Sequence, residues 1–86
     1  MWYDELSEDR IEEILVRLRY IYRRCREGVG DPKVAFNHIQ WLKLNTPIER
    51  SMGWRDDSDV WIRCLERHLR ERESALFRLQ HTSDWS

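Results

Sequence analysis

The chain has 86 residues, 41% hydrophobic and 36% charged, with five tryptophans and a net charge of −1. That length makes one domain with a modest core, and the balanced charge excludes a whole-surface electrostatic grip on nucleic acid. Two cysteines 39 positions apart exclude a disulfide scaffold, no apolar run is long enough to span a membrane, and the acidic first residues lack the order of a signal peptide, so a cytoplasmic protein with reduced thiols is expected.

The charge is unevenly spread. Residues 1–13 carry six acids and one arginine, and residues 14–30 carry five arginines and one glutamate. A first helix over 8–27 follows from Ile11, Ile14, Leu15, Leu18, Ile21, Tyr22 and Cys25, which share one stripe at helical spacing. Ser7 is the expected N-cap, Leu6 and Ile11 a hydrophobic staple, and Gly28 the left-handed C-terminal residue. Glu13 and Arg17 stand in the favourable order for an i,i+4 pair.

Asp31 and Pro32 start a second helix over 32–44. Its apolar residues, among them Val34, Ala35, Phe36, Ile39, Trp41 and Leu42, spread around most of its circumference, which predicts a central helix touched on several sides. Thr46-Pro47-Ile48-Glu49 reads as a capping box opening a short helix over 47–52, stopped by Gly53, with Trp54 covering the core beside it. The acids and serine at 56–59 offer N-caps for a third helix over 58–80. Its stripe is Trp61, Ile62, Leu65, Leu69, Leu76 and Leu79, interrupted by Arg72. Either Arg72 is paired at a core edge with its stem buried, or Leu76, Phe77 and Leu79 dock separately. Glu66 with Arg70, and Arg67 with Glu71, are expected to pair on the solvent side. The predicted fold is all-α: a three-helix bundle with a short connecting helix between the second and third long helices.

The residues argue against chemistry. Cys25, His38, Cys64 and His68 make a countable zinc set, but the close cysteine and histidine pairs of zinc fingers are missing, so no metal is expected. Asp56, Asp57 and Asp59 lack the spaced ligands and glycine of a calcium loop. No nucleophile elbow, phosphate loop or His-Glu-x-x-His occurs, so neither enzyme activity nor a cofactor is expected. Residues 33–53 could mimic a helix-turn-helix, yet the short helix offers only Arg50 and the third helix sums to near balance.

An interaction surface is the remaining reading. Val16, Tyr20 and Arg23 lie opposite the core stripe, flanked by Arg19 and Arg24, and tyrosine and arginine are enriched at protein–protein contacts. This face is expected to have no internal role and to bind another protein. Trp2, Tyr3 and Trp85 add aromatics near both ends. In general character, though in no motif, such a compact, tryptophan-rich, charge-dense chain resembles small phage or mobile-element proteins that inhibit a host protein complex. That implies steric blocking, or mimicry by the acids at 4, 5, 8, 9, 12 and 13. Two other readings stand beside it. One is a homodimer through Leu76, Phe77 and Leu79; the other is a nucleic-acid adaptor through Arg17, Arg19, Arg23, Arg24 and Arg26, which the net charge disfavours.

Overall fold

A computed structural model of the chain describes residues 1–50 and 54–82, with side chains described for 1–48 and 58–80. It is all-helical: α1 is Glu8–Glu27, α2 is Pro32–Asn45, a single 3-10 turn covers Pro47–Arg50, and α3 is Trp54–Thr82. Among the described residues there is no strand.

Local chemistry sets the helix ends. Ser7 Oγ accepts the Arg10 N–H at 3.2 Å, and Gly28 closes α1 in the left-handed region at φ 71°. Asp31 Oδ1 accepts the Lys33 N–H at 2.9 Å, and Pro32 follows in the first helical turn. Thr46 ends α2 and leads onward: its hydroxyl donates to the Leu42 carbonyl at 2.7 Å and accepts the Ile48 N–H at 3.3 Å. Asn45, expected to cap α2, is its last helical residue, and its amide donates to the Trp41 carbonyl.

The three helices pack against one another with α1 as the shared partner. Ile11, Ile14, Leu15, Leu18 and Ile21 are all buried, and α2 and α3 each lie antiparallel along α1. The backbones of α2 and α3 barely approach each other among the described residues. This reverses the expectation that α2 is central. Only Ala35 and Leu42 of α2 are buried, while Phe36 is 59% and Leu44 is 84% exposed. Apolar residues spread around a helix cannot all be covered when it has one long neighbour; the concentrated stripe of α1 can serve two.

α3 begins at Trp54, four residues before the expected start, so positions 56, 57 and 59 fall inside the helix rather than ahead of it. Ser58, one of the residues offered as a cap, is inside the helix and buried, on the same stripe as Ile62, Leu65 and Leu69. Residues 51–53, the side chains of Glu49, Trp54, Asp56 and Asp57, and Trp85 lie outside the described residues.

At 1.5 Å per residue, the 29 residues of α3 run about 43 Å against about 30 Å for the 20 of α1. The register is fixed near the start of α1, where Arg72 Nη1 donates to the Leu6 carbonyl at 2.7 Å. Beyond Arg72, α3 outruns its cover, which gives the molecule its 55 × 23 × 20 Å extents.

Candidate interaction surfaces

The face expected to be idle is largely engaged within the molecule. Arg19 pairs with Glu66 of α3 at 2.9 Å. Tyr20 Oη accepts the Asp31 N–H at 2.7 Å, and its ring meets His38 edge-on at 5.0 Å. Arg24 Nη1 donates to the Gly28 carbonyl at 3.0 Å. Arg23 lies 3.7 Å from Glu27, an exposed pair of little energetic weight. Val16, 56% exposed, and Arg23 still point outward. The premise of a surface without an internal role therefore fails for Arg19, Tyr20 and Arg24. The short 28–31 turn folds α2 back along α1, and that return brings the second helix onto Tyr20.

Other pairings also differ from those expected. Glu13 pairs with Arg10 at 3.1 Å, and Arg17 donates instead to the Glu13 carbonyl. This places the Arg17 guanidinium 3.8 Å from the centre of the Trp41 ring, with Arg10 at 5.4 Å. Glu66 reaches across to Arg19 of α1.

Of the four possible zinc ligands, Cys64 and His68 share Tyr3 as a neighbour, and His38 packs elsewhere. Tyr3 Oη is hydrogen-bonded to Cys64 Sγ at 3.1 Å, and His68 Nδ1 lies 3.6 Å from Asp4. His38 packs on Tyr20, and both cysteines are free thiols. Among the described residues no three His, Cys, Asp or Glu side chains gather into a group that could hold a metal ion. Tyr3, one of the aromatics near the chain ends, folds back on the core: it is buried, packs against His68 at 4.9 Å, and supports Trp2 at 5.5 Å. The hydrogen bond with Cys64, then burial, pushes its phenol up to about 12.

α3 carries two opposed surfaces. One is the core seam continued. Ile62, Leu65, Leu69, Arg72, Leu76 and Leu79 alternate at spacings of three and four, the pattern of a coiled-coil seam. Leu65 is fully buried, Arg72 half-buried, and Leu76 and Leu79 are 52% and 70% exposed. Of the two expected alternatives, the structure shows Arg72 paired at the core edge, through the Leu6 carbonyl, with the leucines beyond it exposed.

The other surface is a row of arginines. Arg63, Arg67, Arg70 and Arg78 fall within an arc of about 80°, on the side away from the seam. Summing the charge of α3 hid them, because Asp59, Glu66, Glu71 and Glu73 cancel them in number; their spacing was the available signal. Beside Arg63, a groove of about 360 Å³ opens between α1 and α3, lined by Tyr22 and Ile62 and rimmed by Arg19, Arg23 and Glu66.

The chain matches no family model, no curated protein and no solved structure. Among the described residues, no helix is long and apolar enough to cross a membrane.

Proposed function

We propose that the chain is a non-catalytic protein-binding domain that docks through the outer end of α3. The observation carrying this reading is the exposure of Leu76 and Leu79 on a seam whose inner half, at Leu65, is fully buried. The same helix face that packs on α1 is thereby offered to a second surface beyond Arg72. An apolar strip on a projecting helix suits insertion into a hydrophobic groove of another protein. It acts by occupying that groove, so any inhibition is steric. Val16 and Arg23, the members of the expected set that still face outward, form a separate and smaller patch.

The test is affinity capture from the source organism with the full chain, comparing wild type with Leu76→Asp/Leu79→Asp and with Val16→Asp/Arg23→Glu. Circular dichroism checks that all three are folded. A partner captured by the wild type should be lost with the leucine variant and kept with the α1 variant. Retention by the leucine variant would reject the docking site. Light scattering at about 100 µM identifies self-association as a competing use of the strip, since that concentration detects dimers with Kd well below it.

A further inference from the structure

We infer that α2 is a releasable arm: protonation of His38 in the α1–α2 interface lifts α2 from α1 while α1 and α3 stay packed. This goes beyond the protein-docking reading and involves neither Leu76 nor Leu79. Among the described residues α1 is the one long helix that α2 packs along, and only Ala35 and Leu42 of α2 are buried. By helical angle, its contact strip on α1 is Ile14 and Ile21, bordered by Arg10, Arg17 and Tyr20. The other side of the α1 stripe, at Leu15 and Tyr22, turns toward α3 together with Arg19. The links between α3 and the rest of the core do not pass through α2. They are Arg19 with Glu66, Arg72 with the Leu6 carbonyl and Tyr3 with Cys64, around the fully buried Leu65.

His38 stands in the middle of the α1–α2 interface. It is half-buried, and its ring meets Tyr20 of α1 edge-on at 5.0 Å. The charge that acts on it is Arg17. That guanidinium is held in place, because it donates to the Glu13 carbonyl at 2.9 Å and lies 3.8 Å from the centre of the Trp41 ring. The other charged groups along this interface are turned elsewhere: Glu13 to Arg10, Arg24 to the Gly28 carbonyl, and Asp31 to the Lys33 N–H. The 3-10 turn presents buried Ile48, and α3 barely reaches α2. Among the described residues, then, no carboxylate offsets a charge on the imidazole. Protonation adds a cation beside the fixed Arg17 in a half-buried site, so desolvation and repulsion both oppose it while α2 is docked. The proton is taken up more readily once α2 has left, and acid therefore favours release. An isolated helix of 14 residues is marginal in water, so α2 loses its own hydrogen bonds once it leaves α1. Opening of a weakly covered element on its own, ahead of the global transition, is how local instability shows itself.

Hydrogen–deuterium exchange of the full chain at pH 7.5 and pH 5, corrected for the intrinsic exchange rates, tests this. Protection of the amides at 36–45 should fall several-fold at the lower pH, while those at 14–22 of α1 and 62–72 of α3 change much less. His38→Asn should abolish the fall in α2, and Arg17→Gln should reduce it, with circular dichroism at pH 7.5 verifying both folds. Leu76→Asp/Leu79→Asp should show the same fall as wild type, which separates failure of this inference from failure of the docking reading. The inference is overturned by α2 protection that does not change with pH, by a fall shared equally among the three helices, by a fall confined to α3 around His68, or by a His38→Asn protein that keeps the full effect.

Discussion

The Tyr20 hydroxyl accepts the Asp31 N–H at 2.7 Å, tying the middle of α1 to the residue that caps α2. The tie also explains Gly30. Its φ is 101°, and a Cβ there would stand 2.8 Å from Tyr20 Oη, so both backbone strain and lack of space select glycine. Tyr20→Phe should lower stability by about 1 kcal/mol through one lost hydrogen bond. Gly30→Ala should cost more, since it adds strain and displaces the ring. Urea denaturation of both variants checks the order; a Gly30→Ala protein as stable as wild type would show that the turn tolerates a side chain.

Arg72 ends the covered part of the seam by donating to the Leu6 carbonyl. Arg72→Met removes that charge-assisted bond, and stability should fall by about 1–2 kcal/mol. Amide exchange in residues 3–6 should quicken, because the lead-in loses its anchor on α3. A stabilised Arg72→Met protein would mean that completing the apolar seam outweighs the bond.

Trp41 is held under Arg17, with its guanidinium 3.8 Å from the ring centre. A double-mutant cycle of Arg17→Met and Trp41→Leu should give a coupling of about 0.5–1 kcal/mol. Additive effects would reduce the contact to simple packing.

Acid should destabilise the fold through His38. Burial, then the charge of Arg17, holds its imidazole below the usual 6.5. The unfolded chain therefore takes up the proton first. The stabilisation is complete above pH 6.5 and is lost as pH falls through the depressed folded value. Thermal melts from pH 7.5 to 5 should show the fall, and His38→Asn should flatten it.

Alkali acts through Tyr3, packed against Cys64 and His68 of α3. Tyr3 keeps its proton to about 12 while the unfolded chain loses it near 10.0. Stability from this group is complete below pH 10.0 and is lost as pH rises toward 12. Tyr3→Phe should remove that part of the alkaline transition; an unchanged transition would point to another group.

Local rules carried the reading of α1 a long way. The 3-4-3-4 stripe, the Ser7 cap and Gly28 each depend on residues within a few positions of one another, and the structure uses them as local chemistry dictates. What lay between helices was not legible. Glu66 had an acceptable partner in its own helix, yet it faces Arg19 across the α1–α3 seam. Tyr20 read as a spare surface ring because nothing local showed that α2 returns to meet it.

The sequence alone determined that the chain makes helices and which face of α1 is buried, because period and capping are short-range properties. Tertiary structure decided that α1 rather than α2 is shared, that Tyr3 belongs to the core, and that the seam of α3 runs beyond its cover. Those outcomes depend on relative helix lengths and on the Arg72–Leu6 register, and register exists only once two helices are packed together.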